Sequence, residues 1–195
     1  MSPLLGSFGG LTARAFGLGG FTPSSAKPII GAYDALATVT VPSGGASSIT
    51  FSGIPSTYTH LQIRAMVINS ASTTNVQMRV GNNGIDSGSS SYAAHQLNGN
   101  GSTASAGGGG PSDHMDIAYT NNSVSAFIID ITDYASIVKN KTLRSIGGYD
   151  NNGSGWVQYR SGLWMNSTQA ITDLYFTPSG TSFAQYSTFS LYGVR

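Results

Sequence analysis

Apolar and polar residues alternate along most of the chain after residue 33, as expected of β-strands with one buried face. Between residues 59 and 68, for example, Gln62 and Arg64 are separated by apolar residues. Clusters of Gly, Pro, Asn and Ser separate the alternating runs. About eleven strands are predicted in this way: 35–41, 48–52, 59–68, 75–80, 90–97, 114–119, 126–132, 141–148, 155–164, 170–176 and 183–194. The pattern predicts an all-β fold, an antiparallel sandwich or barrel.

Two segments interrupt this pattern. Residues 98–112 read NGNGSTASAGGGGPS, and the four consecutive glycines before Pro111 predict a long flexible loop rather than a strand. Residues 133–140 predict the only helical turn, which joins the two apolar strands of the stretch 127–150, FIIDITDYASIVKNKTLRSIGGYD. Charged residues of that stretch are expected to form a local network that pins the register of its two strands: Asp130, Asp133, Lys139, Lys141 and Arg144.

Residues 1–30 differ from the rest of the chain, because glycines separate large apolar side chains: Leu4, Leu5, Phe8, Leu11, Phe16, Leu18 and Phe21. Glycine at this density disfavours a helix, and so many large apolar side chains are unusual for a solvated linker. We predict a docking arm, residues 1–30, that inserts these side chains into grooves of a partner. A β-sandwich domain, residues 31–195, follows. The alternatives are an arm that packs on its own domain and a disordered tail.

Composition excludes several classes of function. Only 9% of residues are charged and the net charge is +1, so the chain offers no basic surface to nucleic acid. Cysteine is absent, which excludes a thiolate zinc site and a cysteine nucleophile and fits folding in a reducing cytoplasm. No apolar run reaches the roughly 20 residues of a membrane-spanning helix, and residues 1–21 lack the pattern of a signal peptide. Neither nucleic-acid binding nor membrane insertion is expected.

Candidate catalytic and metal-binding groups are sparse. Asp113, His114 and Asp116 are close in sequence, but on a strand only His114 and Asp116 share a face. Two ligands do not make a metal site. The three histidines of the chain lie in no nucleophile motif, and nothing selects a pair of aspartates for glycoside cleavage. The sequence predicts no catalytic residue, no metal, no cofactor and no enzyme activity.

Four aromatic residues form the most informative cluster outside the arm: Tyr149, Trp156, Tyr159 and Trp164. Strand alternation places Trp156 and Trp164 on one face, together with Gln158 and Arg160, and Tyr159 on the other. A face of this composition suits stacking on a surface glycan or packing at a subunit interface. The alternative is that both tryptophans are partly buried core residues with hydrogen-bonded indole N–H groups.

Several segments, taken in order, resemble a family of virion structural proteins of tailed bacteriophages, notably those of cyanobacteria and other aquatic bacteria. The matching segments are ITFSGIPSTYTHLQIRA (49–65), FIIDITDYASIVKNKTLRSIGGYD (127–150), SGLW (161–164), AITDLYF (170–176) and FAQYSTFSLYGV (183–194). Together they span roughly residues 45–195, and GLTARAFGLGG (10–20) is similar to N-terminal segments of phage structural proteins. Residues 82–113 show no such match.

The resemblance implies a jelly-roll-like β-sandwich that assembles, commonly as a homotrimer, into a tail fibre, a baseplate appendage or a capsid decoration. It implies no catalytic residue. We therefore expect a virion protein, made in the bacterial host cytoplasm, that forms a tail fibre or fibre-like appendage. Residues 1–30 would bind baseplate, tail or capsid proteins, and a host surface glycan is a further expected contact. The alternatives are a capsid decoration (cement) protein that stabilises the head and a polysaccharide depolymerase.

Overall fold

The computed structural model describes residues 31–71 and 73–195. The predicted docking arm, residues 1–30, lies outside these ranges. The described residues form twelve strands: β1 (Tyr33–Thr40), β2 (Ile49–Phe51), β3 (His60–Val67), β4 (Thr74–Gly81), β5 (Tyr92–Gly99), β6 (Ala104–Ser112), β7 (Met115–Thr120), β8 (Ser125–Thr132), β9 (Lys141–Asp150), β10 (Gly155–Trp164), β11 (Asp173–Pro178) and β12 (Thr188–Val194). Most of the predicted strands are confirmed, although β11 and β12 begin three and five residues later than predicted.

The strands form two antiparallel sheets that pack face to face. The larger sheet has eight strands in the order β1-β12-β3-β8-β9-β10-β5-β6, and the smaller sheet has four in the order β2-β11-β4-β7. This arrangement confirms the predicted all-β antiparallel sandwich. The order of the strands in the two sheets does not establish the jelly-roll connectivity that the resemblance implied. The described part of the chain has no helix long and apolar enough to cross a membrane.

The core lies between the sheets and follows from the alternation in the sequence. In β8, the side chains of Phe127 and Ile129 face the core and are buried, whereas Ile128 between them faces outward and is 40% exposed. Phe189 of β12 packs at the centre of an aromatic cluster with three other rings, those of Phe127, Phe176 and Phe183. Full burial stabilises the fold by about 1.5–3 kcal/mol for each large apolar side chain.

The prediction of a flexible loop over residues 98–112 is wrong, because β6 lies in this segment and pairs with β5 at the edge of the larger sheet. Asn100 closes the hairpin, and its side-chain Oδ1 accepts a hydrogen bond from the N–H of Thr103 at 2.7 Å. A Cβ atom at Gly108 would lie 2.2 Å from the ring of His95, so glycine allows β6 to approach β5 here. The glycines of β6 have a low strand propensity. They are tolerated because backbone hydrogen bonds to β5, rather than side-chain packing, hold this exposed strand in place.

The predicted helical turn at residues 133–140 is also wrong. Asp133 has a φ of 48°, a conformation that Asp adopts more readily than most non-glycine residues and that does not continue into a right-handed helix. Its carbonyl accepts a hydrogen bond from the N–H of Ser136 at 3.0 Å. The link between β8 and β9 is therefore a single turn, followed by Ile137 and Val138, which are 63% and 83% exposed.

The charge network expected around this link forms only in part. Lys139 pairs with Asp133, and Arg144 Nε lies 3.7 Å from Asp130 Oδ2. These pairs are largely exposed and contribute about 0–1 kcal/mol each. Lys141 does not join the network, because its side chain points into the sandwich and Nζ donates to a backbone carbonyl after β10 at 2.9 Å. Burial lowers the pKa of Lys141.

Candidate functional site

The outer face of the larger sheet, turned away from the smaller sheet, carries a row of exposed apolar side chains. This apolar row consists of residues opposite one another in β8, β9, β10 and β5: Ile128, Ile146, Tyr159 and Leu97. The exposed fraction of these residues ranges from 40% to 57%. Neighbouring strands lie about 4.8 Å apart, so the row runs roughly 14 Å across the sheet. Contiguous exposed apolar surface of this kind is typical of interaction sites.

A groove of about 1050 Å³ lies beside the apolar row, and we call it the outer groove. In the adjacent row of paired residues, Ala126 and Gly148 are small and leave a depression. Met66 and Val157, which are 56% and 70% exposed, stand on either side of it. A Cβ atom at Gly148 would lie 2.2 Å from the carbonyl oxygen of Trp156, so only glycine fits there. Backbone packing between β9 and β10 thus shapes the groove.

A polar row borders the apolar row on its other side: Gln62, Asp130, Arg144, Ser161 and His95. Gln62 Nε2 donates a hydrogen bond to Asp130 Oδ1 at 2.8 Å. Arg144 lies beside the other oxygen of Asp130, so the opposite charges of this row are paired. An apolar centre with a polar border is the arrangement found in interfaces between proteins.

Trp164, one of the four predicted aromatic residues, lies in the core. It is 1% exposed, and its Nε1 donates to Asp86 Oδ2 at 2.8 Å. Lys141 Nζ lies 5.3 Å from the centroid of its ring. Burial alone would raise the pKa of Asp86, but hydrogen bonds from Trp164, the Gly88 N–H and Ser91 together lower it. Trp164 therefore ties β10 to the loop that follows β4.

Of the other three aromatic residues, the structure brings together Tyr149 and Trp156, which are paired opposite each other in β9 and β10, but not Tyr159. Trp156 faces the space between the sheets and packs edge-on against Tyr119, with ring centroids 6.0 Å apart. Tyr159 belongs to the apolar row on the opposite face, whereas Tyr149 and Trp156 both contribute to the lining of the outer groove. The seven apolar side chains of the predicted docking arm lie outside the described residues.

Replacing Trp164 with phenylalanine is expected to lower the free energy of unfolding by about 2–3 kcal/mol at neutral pH, because a buried donor to a carboxylate is lost. The phenyl ring keeps part of the packing, while Asp86 Oδ2 loses its indole N–H partner. Urea-induced unfolding measures the difference. The matched control is Trp156→Phe, which changes a half-buried side chain and is expected to cost about 1 kcal/mol or less.

The pH dependence of the Trp164→Phe variant provides a second measurement. Asp86 has a depressed pKa in the folded state, so it stabilises the fold above its unfolded-state pKa of about 3.9 and this contribution is lost as the pH falls. The destabilisation caused by the variant should therefore shrink in acid. A difference in unfolding free energy that stays the same at neutral and strongly acidic pH would show that the bond to ionised Asp86 is unimportant.

The segment 113–116 contacts β4 through one ion pair, between Asp113 and Arg79, and through Gln77. Arg79 donates from Nε to the carbonyl of Asp113 at 2.8 Å and from Nη2 to Asp113 Oδ2 at 2.5 Å. His114 Nδ1 lies 2.6 Å from Asp113 Oδ1, and its Nε2 lies 2.9 Å from Gln77 Nε2. The hydrogen bonds from Arg79 and His114 lower the pKa of Asp113. Among residues 31–71 and 73–195, no three His, Asp or Glu side chains are grouped so that they could hold a metal ion.

A polar network between the two sheets was not predicted from the sequence. Gln158 of β10 spans to β7, where its Nε2 donates to the Tyr119 carbonyl at 2.7 Å and its Oε1 accepts the Tyr119 N–H at 2.6 Å. Arg160 donates to Gln158 Oε1 at 3.2 Å and to Asn75 Oδ1 at 3.1 Å. Asn75 Nδ2 donates in turn to Asp116 Oδ2 at 2.9 Å. The alternation of residues indicated that Gln158 and Arg160 share a face. It could not identify their partners Tyr119 and Asn75, because these lie on the other sheet.

Burial shifts the pKa values of the two charged groups in this network, Asp116 and Arg160. It raises the pKa of Asp116, although His114 and Arg160 act in the opposite direction. It also lowers the pKa of Arg160, which is 2% exposed, while Asp116 and Tyr119 oppose this shift. Asn75 bridges the guanidinium of Arg160 and the carboxylate of Asp116, so the two charges compensate each other through an intervening amide.

The fold and the outer face define an antiparallel β-sandwich protein with an exposed apolar sheet surface. A scan against protein-family models and searches of curated proteins and of solved structures found no match to this chain.

Proposed function

We propose that the protein is a non-enzymatic structural component of a bacteriophage particle, and that its copies assemble as a homotrimer through the outer face of the larger sheet. The observation that supports this most is the apolar row, whose four large side chains lie exposed on neighbouring strands beside the outer groove. The resemblance of residues 45–195 to virion proteins of tailed phages supports the proposal independently.

The size of the outer face suits contact between copies. Eight strands about 4.8 Å apart make the larger sheet roughly 34 Å wide, and strands of eight residues are roughly 26 Å long. The projected face is therefore roughly 900 Å², close to the ~800 Å² that each partner buries in a standard interface. In a closed ring of three copies that turn this face toward a common axis, each copy divides the face between two neighbours, so the roughly 900 Å² is its total area for both contacts.

The charges of the chain also favour association of like copies. The net charge is +1, so identical copies repel one another only weakly. On the outer face, Arg64 lies over the rings of Tyr33 and Tyr192, at 5.2 Å and 4.8 Å from their centroids. Asp130 and Arg144 are paired. Little unpaired charge would have to be desolvated in the interface, which is the costly step in burying such a surface.

Within the particle, we place the protein in a tail fibre or fibre-like appendage. In this proposal, residues 1–30 anchor the trimer to baseplate, tail or capsid proteins. The large apolar side chains of that segment suit insertion into grooves of a partner, and its glycines allow close backbone approach. The sandwich then projects from the particle.

Electron microscopy of intact particles labelled with an antibody against the protein tests this proposal. We expect label on tail appendages. Label on the head would replace the tail-fibre assignment with a capsid decoration, and particles without label would contradict a role in the virion.

Deleting residues 2–25 is expected to prevent incorporation into particles and to leave the trimer intact, because the arm and the outer face have separate roles in the proposal. Particles produced with the truncated protein are purified and probed for it, and its mass in solution is measured by light scattering. Substitution of Leu4, Phe8 and Phe16 by serine is the matched variant that keeps the chain length. Normal incorporation of the truncated protein would contradict the anchoring role.

A further inference from the structure

β6 forms one edge of the larger sheet, and nothing in the described part of the chain covers it. Residues 104–111 are exposed on both faces of the sheet, so the smaller sheet does not extend over this strand. Residues 107–110 are four consecutive glycines, which have no side chains to bury. Packing in the core therefore does not account for β6.

The outer edge of β6 presents backbone hydrogen-bonding groups. The N–H of Asn100 donates to the carbonyl of Thr103 at 3.2 Å, and hydrogen-bonded pairs alternate with non-bonded pairs along an antiparallel ladder. In the register that follows, Ala106 is opposite Leu97 and points its N–H and C=O away from β5. Within residues 31–71 and 73–195, the outward groups of residues 104–111 have no hydrogen-bond partner. Such an edge is a template for a strand of another chain.

The opposite edge of the larger sheet, β1, is open in the same way. Among the described residues, the backbone groups of residues 33–40 bond only to β12. Many proteins protect such edges with charged side chains. Residues 99–112 contain no charged residue, and the one charge of β1, Asp34, is paired with Arg195. Neither edge carries an unpaired charge that would oppose the addition of a strand.

The two edges complement each other in side-chain size. β6 carries only Ala, Ser and Gly before its Pro111, whereas β1 carries Tyr33, Leu36 and Val39. Large side chains of one strand can cover the glycines of its neighbour. The ring of His95 already does so within the sheet, since a Cβ atom at Gly108 would lie 2.2 Å from it. Two β6 strands would leave small residues opposite small ones, so β1 is the better partner.

Strand direction and symmetry also favour β1 as the partner of β6. Every neighbouring pair of the eight-stranded sheet is antiparallel, so its two edge strands run in opposite directions. When two copies lie edge to edge with their outer faces on the same side, β6 of one copy meets β1 of the next in antiparallel orientation. A closed ring of three copies needs a contact between two different surfaces. Pairing of β6 with β1 meets this condition, whereas pairing of β6 with a second β6 does not.

We propose that β6 of each copy pairs with β1 of the next copy in the homotrimer and joins their larger sheets edge to edge. The inference rests on the proposed function and adds the strands that form the joint. In this arrangement the apolar row faces the common axis, and the backbone hydrogen bonds of the edges fix the order of the copies around it.

Engineered disulfides test the joint in the full chain, which has no cysteine of its own. Ala106 and Thr38 lie at the two ends of the same row of paired residues across the sheet. In one copy they are roughly 34 Å apart, too far for a disulfide. Because β1 has a bulge between Ala35 and Ala37, Ala106→Cys is combined in turn with Thr38→Cys, Ala35→Cys and Thr40→Cys, which test three registers.

We expect at least one double variant to give a three-copy band on oxidation in denaturing electrophoresis, and this band should disappear on reduction. Each single variant should run as one copy. Double variants that keep the mass of a trimer in light scattering but give no three-copy band would overturn the joint and leave the trimer standing. A two-copy band from Ala106→Cys alone would overturn it in favour of a joint between two β6 strands. A wild-type protein with the mass of one copy would remove the trimer and the joint together.

The Ala106→Pro variant tests the backbone hydrogen bonds directly. Proline removes an N–H that points away from β5, so the ladder within the copy keeps its bonds. We expect trimer formation to weaken at least tenfold, as measured by sedimentation at several concentrations. Ala106→Val keeps the N–H and is the matched control, which should associate like the wild-type protein. Equal association of the proline and valine variants would contradict the joint.

Discussion

Replacing Phe189 with alanine is expected to lower the free energy of unfolding by about 3–5 kcal/mol. Phe189 is fully buried, and its ring centroid lies 5.0 Å from that of Phe183, 5.3 Å from that of Phe176 and 6.2 Å from that of Phe127. Phe176 belongs to the smaller sheet and Phe127 to the larger one. The substitution therefore opens a cavity where the two sheets meet, and the surrounding strands can collapse into it only in part.

Urea-induced unfolding followed by tryptophan fluorescence measures this loss. The control is Val138→Ala in the link between β8 and β9, where the side chain is 83% exposed and the change is expected to stay within about 0.5 kcal/mol. A loss below about 1 kcal/mol for Phe189→Ala would mean that this aromatic cluster is not the centre of the core.

Replacing Ile146 with aspartate is expected to weaken trimer formation at least 100-fold, which corresponds to about 2.7 kcal/mol. Ile146 lies in the middle of the apolar row, between Ile128 and Tyr159 on the neighbouring strands. An aspartate there would be buried without a partner in every subunit, and an unpaired buried charge is strongly unfavourable. The side chain is 57% exposed in the single copy, so the stability of the monomer should change by only about 1 kcal/mol or less.

Sedimentation at several protein concentrations separates these two effects. Val138→Asp is the control, because it places the same charge on a side chain that is 83% exposed in the link between β8 and β9, outside the strands of the outer face. This control should remain a trimer. If Ile146→Asp associates as tightly as the wild-type protein, the apolar row does not form the interface.

Strand alternation predicted much of the fold. The limits of β10 agree with the prediction at both ends, and the burial of Trp164 follows from its inward position. Alternation failed at β6, where glycines give no pattern of buried side chains and the pairing with β5 depends on backbone hydrogen bonds. The prediction of a helical turn after β8 also failed, because Asp133 has a positive φ and the chain turns there instead of entering a right-handed helix.

The apolar row and the polar network were harder to predict from the sequence, because the row depends on strand pairing and the network on contacts between the sheets. Exposed isoleucines are common singly, and Ile128 and Ile146 form a row only because β8 and β9 pair in that register. The run Phe127–Ile128–Ile129 does contain a signal, since consecutive apolar residues predict a strand covered on both faces. The polar network between the sheets required partners from both sheets, such as Arg160 and Asn75, which no local pattern connects.

The mass of the full chain in solution tests the proposed assembly most directly. One copy has a mass of 20.2 kDa. Light scattering coupled to size exclusion should give three times this value for the wild-type protein, and the Ile146→Asp variant should return to the mass of a single copy at the same concentration. A wild-type protein that elutes with the mass of one copy at every accessible concentration would contradict assembly through the outer face of the eight-stranded sheet.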